Sequence, residues 1–405
     1  MSSLCLRRRA FLQAHRFCTS ATLSENTDTL TFNVARRKLR YTSEPSKVID
    51  IFNSVQKLNG VAGARAVRDL VVRRLVKSQR FSDIETLLEN QKKHPHAKVE
   101  RFLSDVILAY GRAKMADQAI KTFYQMDELG CPRTVSSFNV LLTALKDSEK
   151  FDRVTKLFDE IPTKFGISPD HFSYSIFLKS LCDSGSPDKA YEKLKEMNEK
   201  GITVTNISYT TLIDGFYKKK KPEEAEKIWD EMVKNGCSLD TPAYNAKLIY
   251  IANHGKPEEA LKLLGEMEAS NVKPDALSYN FLLMCYLKNG EKEEAKKVYE
   301  EMASNSKGCY PNQMTYRIFI RYLVQKKDYD LALEVCKESI RRRKAPKFQT
   351  VSDLIKGLVK NSKEEEAKQV IKMVHDTLPP NVLHAWKKFE AQLDLNKKEG
   401  SSSDE

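Results

Sequence analysis

The chain has 405 residues, of which 30% are charged, and a net charge of +13. That length holds two or three ordinary domains or one extended repeat array, and the basic excess points to a polyanion, chiefly nucleic acid, as partner. No run of eighteen apolar residues occurs. Eight cysteines lack both a CxxC pair and a suitably spaced His, so they read as reduced core thiols, with neither a zinc site nor a cofactor site.

Residues 1–20 open with "MSSLCLRRRAFLQAHRFCTS", which carries Arg7, Arg8, Arg9 and Arg16 and no acid. An Arg-rich, acid-free segment with interleaved Leu and Phe reads as an organelle presequence, with a processing site near Cys18 or Thr19. A mitochondrial matrix address is expected, with the chloroplast as the lesser choice. The alternative is a basic tail that binds nucleic acid. Without those four arginines the body is still basic.

Residues 29–99 contain two degenerate units, opening at Thr29 and Arg65. From residue 100 to 347 the same letters recur with a period close to 35 residues, in seven blocks opening at Glu100, Val135, His171, Asn206, Thr241, Ala276 and Gln313. A weaker block opens at Phe348 and covers 348–382. An amphipathic "LHAWKKFEAQLDL" at 383–395 reads as a capping helix, and 396–405 as a disordered tail. Each block predicts two helices. In the one opening at Asn206, Tyr209, Leu212, Ile213 and Phe216 recur at helical spacing, as do Ala225, Ile228, Trp229 and Met232. Pro222 opens the second helix, Glu223 and Glu224 occupy its first turn, Lys234 its last, and Gly236 stops it. Neither helix buries its stripe alone, and stacked neighbours bury it continuously. The expected fold is all-α: a right-handed α-solenoid of about ten helix-turn-helix units, with contacts only between adjacent units.

The openings "SFNVLL", "SYSIFL", "SYTTLI", "AYNAKL" and "SYNFLL", the late "DEM", "GEM" and "EEM", and the closing "SPD", "KPD" and "YPN" resemble the pentatricopeptide repeat family, P-type class. The resemblance covers residues 100 to 348 well. The tetratricopeptide pattern fits less, since Trp229 and Trp386 stand in the wrong places for it.

The resemblance implies that one unit reads one RNA base with two or three side chains. The fifth residue of a block meets the base edge and the last residue positions it. Carried over, Asn139 with Asp170 resembles a uracil pair and Thr210 with Asp240 a guanine pair. Asn245 with Asp275 again resembles uracil, and Asn280 with Asn312 a pyrimidine. Ser175 with Thr205 is half legible, as is Ser104 with Thr134, and Arg317 with Lys347 obeys no base-reading rule. Phe172, Ile207 and Leu277 are expected to pack on base faces. Arg112, Lys218, Lys288 and Lys360 share the thirteenth place, where the family often has a phosphate-contacting Lys. The plain alternative is that Asn, Ser and Thr cap helices and Asp closes turns.

The paired Glu223–Glu224, Glu258–Glu259 and Glu293–Glu294 recur at helix N-termini and read as dipole partners, not as acid–base pairs. No catalytic constellation stands out, so a binding protein is expected rather than an enzyme. The end "SSSDE" differs from the Asp-Tyr-Trp extension that carries editing chemistry in other members. The resemblance implies two readings of function, the second because the chain resembles in length and incomplete code the short members found in plant mitochondrial ribosomes. One is a mitochondrial binder of single-stranded RNA, acting in transcript stability, processing or translation. The other is a structural subunit of the plant mitochondrial ribosome, of small-subunit type, contacting rRNA and ribosomal proteins. A protein-binding scaffold is the weaker third. No membrane or small-molecule partner is expected.

Overall fold

The structure is a computed structural model that describes residues 31–42, 44–56, 61–377 and 380–393. The expected presequence (1–20) and tail (396–405) lie outside the described residues, as do Thr29 and the last two positions of the expected cap. The described residues form 21 α-helices and one 3₁₀ turn, Pro95–Lys98, and no strand. First helices open at Glu100, Val135, His171, Asn206, Thr241, Ala276, Gln313 and Phe348. Second helices open at Ala116, Phe151, Pro187, Pro222, Pro257, Lys292, Tyr329 and Glu364. Two earlier pairs precede them, Phe32–Tyr41 with Pro45–Gln56 and Val61–Lys77 with Phe81–Lys92. The helix Pro380–Gln392 closes the array. Its Trp386 and Phe389 pack on Phe348, with ring centroids 4.7 and 5.6 Å away.

Local chemistry sets each boundary. Pro187, Pro222 and Pro257 occupy first helical positions, where a missing N–H costs nothing. Thr134, Asp170, Asp275 and Asn312 end their blocks and form capping boxes with Ser137, Ser173, Ser278 and Thr315 of the following helix. In seven of the eight blocks from Glu100 onward the turn between the two helices passes through a left-handed residue in the same register: Lys114, Glu149, Gly185, Lys220, Gly290, Lys327 and Ser362. The charge run Lys218–Lys221 lies at one such turn, and Lys221 reaches Asp188 of the preceding block at 2.9 Å.

The curvature follows from packing. Each first helix from Glu100 onward touches the first helix of the next block, whereas most second helices do not touch one another closely. First helices therefore line the inner, concave wall. Gly111 shows how tight that wall is, since an added Cβ there would lie 2.5 Å from the Cα of Ala144. Buried apolar side chains run without a break from Ala35 to Phe389, in two clusters that meet near Tyr244. One expectation needs correction. The first described helix, Phe32–Tyr41, also lies against the last, Pro380–Gln392, so contacts are not confined to neighbours. The small rotation per unit accumulates until the two ends meet.

Candidate nucleic-acid interface

Four of the residues expected to read bases line one cavity between first helices. A cavity of about 590 Å³ is lined by Thr210 with Asp240 and by Asn245 with Asp275. Ile207, Pro242 and Leu277 stand beside these pairs, and Lys179, Asp214 and Lys218 form its charged part. Four successive blocks thus contribute to one surface, with the second position supplied by three of them and the ninth by three.

The pairs are bonded to each other before any ligand is considered. Asn139 donates from Nδ2 to Asp170 Oδ1 at 3.0 Å, and Asn245 to Asp275 Oδ1 at 3.3 Å. Ser173 donates its hydroxyl to Asn139 Oδ1 at 2.5 Å, and Ser278 does so to Asn245 Oδ1 at 2.7 Å. The same aspartate oxygens accept from the backbone N–H of Ser173 and Ser278, each at 2.9 Å. One relay therefore caps a helix and fixes an amide. The capping role given in the sequence as the plain alternative is present in Asp170 and Asp275. Burial pushes the Asp170 and Asp275 carboxyls up. The backbone N–H, Asn amide and Ser hydroxyl bonds outweigh it and hold both below the ordinary carboxylate value.

Two of the four legible pairs lack the full relay. In the block opening at Thr241 the third residue is Ala243, and the buried Oγ1 of Thr210 has no hydrogen-bond partner. Asn280 donates to Asn312 Oδ1 at 3.3 Å, but its own buried Oδ1 has no partner. An unsatisfied buried polar atom costs about 1–3 kcal/mol. Ser175 and Thr205 are not brought together. The Ser175 hydroxyl donates back to the His171 carbonyl at 2.7 Å, and Thr205 lies 3.5 Å from the Ser208 hydroxyl.

Of the side chains expected on base faces, Phe172 and Ile207 are 59% and 66% exposed, the Phe172 ring lying 3.9 Å from that of His171 between centroids. Leu277 is half-buried and lines the cavity. The thirteenth-place cations behave differently from one another. Arg112 is drawn into an ion pair with Asp69, the fifth residue of the preceding unit. Lys218 lies 2.7 Å from Asp214, Lys288 bonds Asn253, and Lys360 is exposed. Lys179 was missed by sequence reasoning and bridges Asp183 at 3.1 Å and Asp214 at 3.3 Å. Pro242 was missed too, although it continues the apolar second position of Phe172, Ile207 and Leu277. The serines that orient the amides stood in every "SY" and "SF" opening without an assigned task.

Cys131, Cys182, Cys285 and Cys336 are buried, and burial pushes the Cys182 thiol up to about 12. Among the described residues no group of three or more His, Cys, Asp and Glu side chains is placed to hold a metal, and no helix is long and apolar enough to cross a membrane.

Comparison with known proteins names the class. A PPR repeat family profile matches residues 133–183, 176–218, 205–249, 239–284 and 274–325, and a PPR repeat profile matches 104–131. A mitochondrial pentatricopeptide repeat-containing protein of Arabidopsis thaliana is 42% identical over 394 residues, covering 95% of this chain and 91% of the relative. The Arabidopsis small ribosomal subunit protein mL103 (rPPR7) is 42% identical over 389 residues, covering 95% and 94%. A second Arabidopsis ribosomal relative, mS78 (rPPR3a), is 35% identical over 193 residues, covering 46% of this chain and 48% of its own. The chain belongs to the pentatricopeptide repeat family, and its relatives place it in the mitochondrion.

Proposed function

We propose that the protein holds single-stranded RNA along its concave wall, one base per unit, and discriminates bases at four units. The observation that carries this is the convergence of Thr210, Asp240, Asn245 and Asp275 on one cavity, beside the exposed Ile207 and with the Thr210 hydroxyl unpartnered. In block order the legible pairs correspond to uracil, an unread position, guanine, uracil and a pyrimidine. The fixed Asn amides keep one N–H of Nδ2 beyond the aspartate bond, and a uracil carbonyl accepts it. The role is binding, not catalysis. Crosslinking of RNA containing 4-thiouridine, followed by peptide mapping, tests the placement. Adducts should fall in the first helices Asn206–Lys218, Thr241–His254 and Ala276–Asn289. Adducts confined to second helices would contradict it.

The relatives favour a second reading, in which the same wall is built into a mitochondrial ribosomal subunit. Its support is the 42% identity with mL103 across nearly the whole of both chains. Sedimentation of mitochondrial lysate after a high-salt wash separates the two. Phosphate contacts weaken steeply with salt, whereas a packed subunit is also held by apolar and shape contacts. Retention on one subunit supports the ribosomal reading, and RNase-sensitive light fractions support the free transcript binder.

A further inference from the structure

Charge is unevenly distributed along the inner wall. The first helices opening at Glu100, Val135, His171 and Asn206 each balance their Lys and Arg with as many Asp and Glu. Lys247 in the next one is taken by Glu226 at 2.6 Å. The helix Ala276–Asn289 carries Lys288 and no acid, and Lys288 bonds the Asn253 amide; beyond it the cations double. Gln313–Gln325 carries Arg317 and Arg321 and no acid. Phe348–Lys360 carries Lys356 and Lys360 with Asp353 as its one carboxylate, and Asp353 accepts from Gln349 at 2.7 Å. Among the described residues no ion pair holds Arg317, Arg321, Lys356 or Lys360. Lys356 lies over the Phe389 ring, 5.7 Å from its centroid.

Their register places them on the groove side. Arg317 holds the fifth place, where Thr210 and Asn245 line the cavity. Arg321 and Lys356 hold the ninth, shared with Lys179, Asp214 and Ile249, and Lys360 the thirteenth, shared with Lys218. Two stacked helices thus present four cations, in pairs one turn apart. Arg317 and Lys347 at the two base-reading places offer donors and no acceptor, so they cannot match a base edge that needs both.

We propose that these last two units form a sequence-independent clamp on RNA phosphates, continuing the groove past the units that discriminate bases. The proposal rests on the reading of the wall as RNA-holding. Like charges crowded on a wall repel one another, and a strand leaving the Asn280–Asn312 unit runs directly over them. Continuity with the discriminating units favours an RNA backbone, single-stranded or paired, over an acidic protein segment.

The test uses the full chain and fluorescence anisotropy across a salt series. The probes are the five-nucleotide element (U, any, G, U, pyrimidine) alone, with eight further unpaired nucleotides on either side, or with an eight-base-pair hairpin on either side. The variant is Arg317→Gln/Arg321→Gln/Lys356→Gln/Lys360→Gln. The control is Lys156→Gln/Lys189→Gln/Lys227→Gln/Lys262→Gln on exposed second-helix positions. For the extended probes, the inner-wall variant should lose tenfold or more in affinity near ~0.1 M salt, and the slope of log K against log salt should shrink by about 2–3. Base preference should stay intact and the control should match wild type. The extension that steepens the wild-type slope identifies the phosphates as single-stranded or paired. An unchanged slope in the inner-wall variant overturns the clamp while base preference still stands. A reduced slope without any base preference keeps the clamp and removes base reading. Equal losses in the control, or tighter binding of a poly-glutamate peptide than of RNA by the strip, also overturn it.

Discussion

At the scale of single residues, the unit of construction is an aspartate that serves two neighbours. Asp170 and Asp275 cap one helix and hold an amide on the previous one, and Ser173 and Ser278 complete the circuit. Thr210 stands where this circuit is broken, because Ala243 replaces the serine. Thr210→Asn should therefore shift preference from guanine toward uracil only in part. Thr210→Asn/Ala243→Ser should complete the shift, by about 1–3 kcal/mol between the two bases. Binding to RNAs varied at that nucleotide alone measures it. The same circuit makes acid stability predictable. The folded Asp275 pKa lies below the ordinary value near ~3.9. Its contribution is complete above that value and is lost as pH falls through the lower folded one. Asp275→Asn cannot ionise, so it should lose less stability than wild type between about pH 5 and pH 3. Urea unfolding at the two pH values reads the difference, and equal losses would show that the circuit contributes nothing through its charge.

At the scale of helices, the concave wall depends on close approach of successive first helices. Gly111→Ala places a Cβ against the Ala144 backbone, an overpacking that should cost about 1–3 kcal/mol. The denaturation midpoint should fall, and an unchanged midpoint would mean that the joint has slack. Much of this level was legible in the sequence. Apolar spacing, Pro at first positions and Asp or Asn at block ends are local signals, and the helices open at Asn206, Thr241 and Ala276 as those signals require. The engagement of Arg112 by Asp69 was not legible, because the two residues are 43 apart in sequence and belong to different units. Lys179 was hidden for a similar reason: its partners Asp183 and Asp214 lie on two different blocks. Meeting of the first and last helices depends on a rotation summed over every unit, which no single block encodes.

At the scale of the molecule, the array divides its inner wall between two kinds of chemistry. The middle units carry ordered amides and hydroxyls, suited to reading edges, with Lys218 and Lys247 in ion pairs, and the last two carry four cations that no ion pair holds among the described residues. The basic excess of the chain is therefore not spread evenly along the groove, and only the middle should confer sequence preference. Selection of RNAs from a random single-stranded pool by the full chain tests this most directly. The account predicts enrichment of one five-nucleotide element, uracil, any base, guanine, uracil and a pyrimidine in block order, with the guanine position altered in Thr210→Asn. A pool that binds without any enriched element, or an element unchanged in that variant, would contradict it.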